Sequence, residues 1–243
     1  MRNIWILARK EYKHYFISPT AYAVAFMILL ILGIIFYVNI LAAVMQQYAP
    51  SIQLVLNPMV TLLLFTTPAI TMRSLAEEQK NGTLELLLTA PIRDWELVVG
   101  KWLGGLLFVV SILAITLIYA LVLNQLISPG IDFGVVLTGY LGLLLMVGTF
   151  IAIGVAVSSL FSNQIAAFFA TLGILLALWM IGIPSQVMGA GGNAIIQYVD
   201  LSAHYYDTFY QGIIDLKDVV YYLSAIALLL FAGTVSLETR RWR

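Results

Sequence analysis

No cysteine occurs anywhere in the chain, so a disulfide, a thiolate metal site and a cysteine nucleophile are all excluded. Charge is nearly as scarce. Asp, Glu, Lys and Arg make up 10% of the 243 residues, against about 25% in an ordinary soluble domain. The formal net charge is zero, which removes the global basic field that a nucleic-acid partner requires. The long apolar runs carry no ionisable side chain near their middles. An ion-coupled carrier or a proton relay therefore lacks its midplane groups, and an intramembrane hydrolase lacks a nucleophile with its base or metal. A glycine-rich phosphate loop ending in Lys-Ser/Thr is also missing, so no ATP site is expected in this chain.

What is present is apolar surface. Hydrophobic residues make up 62% of the sequence, and the mean hydropathy is strongly positive. One soluble core cannot absorb that much apolar side chain, so the bilayer must act as solvent. The first apolar run is long and lacks a small-x-small cleavage site, so no cleavable signal peptide is expected. The pattern predicts a single all-α integral membrane domain over 1–243 with spans at 21–45, 52–72, 97–123, 134–160, 165–183 and 220–237. Pro58 and Pro68 fall in the second span, where they free backbone carbonyls.

Six spans place both termini on one side. Arg2, Arg9, Lys10, Lys13, Arg73, Lys80, Arg93, Lys101, Arg240, Arg241 and Arg243 then share that side, which the distribution of basic residues makes cytoplasmic. The other side receives Lys217 with Asp132, Asp200, Asp207, Asp215 and Asp218. Its longest polar stretch is 184–219. There Asp200, His204 and Asp207 have spacings that could share a helical face. This arrangement is compatible with a metal ion, but solvated interfacial polar groups beside Tyr205, Tyr206 and Tyr210 are the favoured reading, and no metal is expected.

Residues 1–18 form the first polar segment. Asn3 to Ile17 reads as an amphipathic helix lying in the membrane interface, with Ile4, Trp5, Leu7, Ala8, Tyr12, Tyr15 and Phe16 on one face and Arg2, Arg9, Lys10 and Lys13 on the other. Glu11 falls on the apolar side. It either snorkels to water or pairs with a basic residue of a partner. Ser18-Pro19 should end the helix. Gly100 and Gly104 make a GxxxG, and Gly148/Ala152 and Gly154/Ser158 make similar small-residue pairs. These suit close helix packing within the chain at least as well as a dimer seam. Thr61, Thr66, Thr67, Thr71, Asn39 and Thr149 either line a polar path or, for the hydroxyls, bond to their own helices.

The polar island at 73–96, continuing to Lys101, interrupts otherwise uncharged sequence. Ser74 to Lys80 can be helical, and Asn81-Gly82 offers a left-handed end. Thr83 can cap a second short helix with Glu85 in its first turn and Leu84, Leu86, Leu87 and Leu88 as an apolar block. Pro91 closes that helix, and Asp94 can cap the third span with Glu96 in its first turn. A short leucine-rich helix flanked by charge suits a groove on a soluble partner; the alternative is that its leucines rest on the membrane interface. Spans with no internal engine need energy from such a partner.

R-S-L-A-E-E-Q-K-N-G-T-L-E-L-L-L-T-A-P from Arg73, followed by Gly100-Lys101, resembles the loop of type-two ABC exporter permeases. A-R-K-E-Y from Ala8 and S-P-T-A from Ser18 resemble the same family's entrance. G-I-I-D-L-K-D-V-V-Y-Y from Gly212 and L-E-T-R-R-W from Leu237 are similar to its gliding-motility subgroup. The resemblance implies the permease subunit of an ATP-driven exporter in a bacterial cytoplasmic membrane, not itself an enzyme. Cytoplasmic ABC ATPase subunits would carry ATP and Mg, and a second permease, identical or paralogous, would pack beside it. The loop helix, about Glu77 to Thr89, would couple to the ATPase, with Arg73, Glu77, Glu78, Gly82, Thr83, Leu84, Glu85, Leu86, Leu87, Leu88, Thr89 and Pro91 as the contact set. The N-terminal helix would connect at the interface through Trp5, Arg9, Lys10, Glu11 and Lys13, and 184–219 would close the outer exit. The alternative is a mechanical or regulatory complex that conducts no substrate.

Overall fold

The computed structural model describes residues 2–46, 48–83, 92–128, 130–181 and 198–241. Among them the elements in chain order are α1 (Arg2–Ile17), α2 (Pro19–Gln46), α3 (Gln53–Thr71), α4 (Ala76–Lys80), α5 (Asp94–Leu126), α6 (Phe133–Ser158), α7 (Gln164–Met180), α8 (Ala203–Tyr206), a 3-10 turn at Phe209–Gln211 and α9 (Leu216–Arg241). The described residues contain no strand.

Local sequence sets the breaks. Ser18 separates α1 from α2, because the residue before Pro19 resists helical backbone. Asp132 caps α6 by accepting the Gly134 N–H at 2.7 Å, and Asn163 caps α7 by accepting that of Ile165 at 2.9 Å. Arg93, not Asp94, flanks α5: Glu96 reaches back and accepts the Arg93 N–H at 3.1 Å. Asp94 then lies in the first turn, where the helix dipole still favours its charge. Helix α5 begins before the apolar run at 97 because hydropathy sees only the oily part of a helix, not its polar first turn.

Five helical stretches are long and apolar enough to cross a membrane: Pro19–Gln46, Gln53–Lys80, Asp94–Leu126, Phe133–Ser158 and Leu216–Thr239. Gln164–Met180 is equally apolar but has 17 residues, about 25 Å of helix against a hydrocarbon core of about 30 Å. The chain is a multi-pass membrane protein.

Helix α6 is the axis of the bundle. In its most apolar window 78% of residues are buried, against 11% for α2. Small residues make this possible. Gly154 lies directly under Thr71 of α3, and Gly142 under Phe209 of the 3-10 turn. At Gly148 the missing side chain lets the Trp102 indole N–H donate to the Gly148 carbonyl at 2.8 Å, while Ile226 of α9 fills the space beside it. The small-residue pairs on α6 thus pack helices of this same chain. Helix α2, by contrast, turns Tyr22, Phe26, Ile34, Tyr37 and Val38 outward, as a helix bathed in lipid does.

Thr66, Thr67, Thr71 and Thr149 donate to the carbonyls of Leu62, Leu63, Thr67 and Leu145 at 2.7, 2.6, 3.0 and 3.1 Å. Their hydroxyls are satisfied within their own helices and line no polar path.

Placing a side chain at Gly154 should force α3 off α6. Gly154→Val is expected to lower stability by about 2–3 kcal/mol. Thermal unfolding of the detergent-purified protein checks it, with Gly173→Ala as control, since nothing lies within 4 Å of a Cβ built there.

Candidate functional site

The basic residues of the N-terminal segment and of the loop gather at one end of the bundle, and α1 is fixed there rather than lying free. A Cβ built on Gly100 would sit 2.7 Å from the Leu7 Cβ, and one on Gly104 would sit 2.5 Å from the Glu11 Cβ. The GxxxG at the start of α5 is therefore the seat of α1. Asn3 donates to the Glu96 carboxylate at 3.2 Å, the Tyr12 hydroxyl lies 2.9 Å from Ser111 Oγ, and Tyr15 donates to the Ile70 carbonyl at 3.2 Å. The Tyr15 ring stacks on Phe108 with centroids 4.9 Å apart. Burial, reinforced by the Glu11 charge, holds the Tyr15 hydroxyl above its ordinary pKa, so it stays a donor.

Between the two glycines lies Lys101, whose side chain is 2% exposed. Its Nζ sits 3.0 Å from Glu11 Oε1 on α1 and 2.9 Å from Glu78 Oε1 on α4. One ammonium thus joins three elements. Helix α4 has a second anchor. The Ser158 hydroxyl at the end of α6 accepts the N–H groups of both Leu75 and Ala76 at 3.0 Å. A side chain from a different helix thereby does the work of an N-cap. Gln79 donates to the Ser159 carbonyl at 2.8 Å.

Beside this node is a cavity of about 430 Å³ lined by residues of α1, the start of α2, the end of α3 and α4. Arg73, Glu77, Glu78, Lys10, Glu11 and Lys13 all line it. Asn81 ends α4, and Gly82 follows with φ 68°, the left-handed turn that Asn-Gly predicts. Thr83 is exposed and its hydroxyl donates backward to the Glu78 carbonyl at 3.3 Å. Leu84, Glu85, Leu86, Leu87, Leu88, Thr89 and Pro91 lie outside the described residues. On α1, Trp5, Arg9, Lys10 and Lys13 are exposed. Trp5 is exposed rather than joining the buried Leu7 and Ala8, and Phe16, though exposed, meets Phe108 of α5 edge-on with centroids 5.9 Å apart.

Glu11 needs a correction. It neither snorkels to water nor waits for a partner's cation; Lys101 of its own chain neutralises it. Sequence reasoning missed Lys101, Ser158 and Ser159. For Lys101 the signal existed: an isolated cation in the first turns of an apolar span, and an isolated carboxylate on the apolar face of a neighbouring helix, each call for an opposite charge.

At the opposite end the aspartates collect. His204 Nδ1 is 2.7 Å from Asp218 Oδ1, and His204 Nε2 is 3.0 Å from the Tyr198 carbonyl. The ring stacks on Tyr221 at 3.9 Å between centroids. Asp200 accepts both the N–H and the hydroxyl of Ser202, at 2.9 and 2.6 Å. Asp200 and His204 are thus committed to different partners, and the described residues hold no group of three potential metal ligands. Tyr206, its hydroxyl pushed up to about 12 by burial, donates to Asn57 Oδ1 at 2.9 Å. This ties the start of α3 to α8.

Against known families, the model described as "ABC-2 family transporter protein" matches residues 5–240. No curated protein matches the chain.

Removing Lys101 leaves two carboxylates in a confined space. Lys101→Met should cost about 3 kcal/mol, read by thermal unfolding. Adding Glu11→Gln and Glu78→Gln should recover most of the loss. Because the chain has no cysteine, an Ala8→Cys probe reports α1 directly: thiol labelling should be slow alone and fast when combined with Lys101→Met.

Proposed function

The chain belongs to the ABC-2 transporter family, and from that membership we propose that it is the permease subunit of an ATP-driven exporter in a bacterial cytoplasmic membrane. In this reading both termini and the loop between α3 and α5 face the cytoplasm, α7 completes a sixth crossing, and 184–219 lies outside. The chain is of the gliding-motility type, ATP and Mg reside on separate ABC ATPase subunits, and a second permease, identical or paralogous, packs beside it. The segment Glu77 to Thr89 is the element on which the ATPases act.

The observation that carries the proposal is the Lys101 node. Helix α4 leads into the leucine-rich segment, and its Glu78 shares one ammonium with Glu11 of α1. Ser158 binds the other end of α4 to α6. A push delivered near Thr83 is thereby transmitted to α1, α5 and α6 together, and interfaces this closely packed shift as units rather than deform. The distribution of Lys and Arg supports the cytoplasmic side. The self-satisfied threonines of α3 and α6 favour a second reading, in which the ATPases move the permease to act on an outer-side partner without conducting a substrate.

Glu85→Arg, or polar replacement of Leu86 and Leu87, should reduce association of the ATPase subunits by at least about tenfold, while the permease remains in the membrane. Co-purification and substrate-stimulated ATP hydrolysis measure the two quantities. Unchanged association overturns the coupling role. Intact coupling with no transported compound selects the second reading.

A further inference from the structure

The cavity beside the Lys101 node has a mixed lining. Ile17, Ala21, Val24, Ala69 and Ile70 are its apolar part, from the corner of α1 and α2 and the end of α3. Much of the rest is charged. Lys101 is neutralised by Glu11 and Glu78, which leaves the node one negative charge in excess. Arg73, Lys10 and Lys13 form no ion pair among the described residues, although Glu77 and Glu78 line the same cavity. Arg73 Nη1 reaches only the Ser18 hydroxyl, at 3.4 Å, and its buried Nε has no partner among the described residues. Glu78 Oε2 is likewise buried and unpartnered there.

The lining thus carries cations, Arg73, Lys10 and Lys13, and an anion, Glu77, that make no ion pair among the described residues. Charges confined in a partly buried site call for partners of opposite sign. A single anion would satisfy only the cations. A zwitterion with N–H donors satisfies both signs. Ile17 of the apolar lining is itself exposed, as are Tyr22 and Phe26 of α2, the helix that supplies Ala21 and Val24. The cavity therefore opens toward the lipid-facing surface of a membrane protein, at the level of its interfacial helix. The volume, about 430 Å³, lies in the range of ordinary small-ligand sites.

We propose that this cavity binds the headgroup of a phospholipid carrying both a phosphate and a primary ammonium, a phosphatidylethanolamine. The phosphate accepts from Arg73 and Lys13, the ammonium donates to Glu77, and the acyl chains leave along α2. A guanidinium and a phosphate make charge-assisted hydrogen bonds of fixed geometry. A quaternary ammonium has no N–H for the carboxylate, so phosphatidylcholine fits the same space but loses that half of the recognition. The inference rests on the membrane location of the chain and not on an ATPase partner. It is tested on the isolated permease, so its failure is separate from a failure of ATPase association.

The test is native mass spectrometry of the delipidated full-length protein titrated with phosphatidylethanolamine, phosphatidylcholine and phosphatidylglycerol of matched chains, with thermal unfolding in parallel. The expected result is one site preferring phosphatidylethanolamine over either other lipid by about tenfold or more, with a rise in the unfolding midpoint. Arg73→Gln should weaken phosphatidylethanolamine binding by about tenfold. Glu77→Gln should erase the preference over phosphatidylcholine. If Arg73→Gln does not fold, Lys13→Gln on the exposed rim takes its place. Equal binding of the three lipids, or full binding by the variants, overturns the proposal. So does no binding, the result expected if 84–91 or a second copy fills the cavity. Soluble phosphoethanolamine competing as strongly as the lipid would overturn the lipid as the source of the headgroup.

Discussion

Everything at the basic end depends on one buried ammonium held between two carboxylates. Lys101 lies in the first turns of an otherwise apolar helix, where an unpaired charge is costly. Two partners at 3.0 and 2.9 Å remove that cost only if both elements stay in place. The requirement is mutual. Helix α1 cannot lift away without exposing Glu11, and α4 cannot swing out without stranding Glu78. The same three charges that would destabilise a bilayer-embedded helix singly become the joint that holds α1 and α4 to α5.

The joint can form only because the backbones approach closely. Gly100 and Gly104 leave no Cβ between α1 and α5, which brings Glu11 within reach of Lys101. On α6, Gly142, Gly148 and Gly154 do the same for the 3-10 turn, for Trp102 and for Thr71. In a membrane, close van der Waals contact and interhelical hydrogen bonds replace the hydrophobic drive of a soluble core. These five glycines are used for that internal packing. The resulting frame is most buried at α6 and most open at α2 and α9, and α5 and α7 also present apolar side chains outward.

Function follows from where stiffness and openness meet. The cavity lies between the anchored α4 and the exposed corner of α1 and α2, next to the segment that leads to the leucine block. Under the proposed coupling role the anchored α4 is the lever, and the proposed lipid site shares that cavity.

Much of this was legible in the chain itself. The multi-pass character, the breaks at Ser18-Pro19 and Gly82, and the self-bonding of the threonines depend on composition or on neighbours a few residues away. The partner of Glu11 was not legible, nor was the cap that Ser158 provides to α4, nor the pairing of His204 with Asp218. Lys101 and Glu11 are separated by 90 positions, and Ser158 and Leu75 by 83. Periodicity constrains which face of a helix a residue occupies but not which helix comes to meet it. The sequence alone therefore determined that a few isolated charges would need neutralising at the membrane boundary. Only the tertiary structure decided which charge neutralises which, because that choice is made by the glycine seats that let particular helices touch.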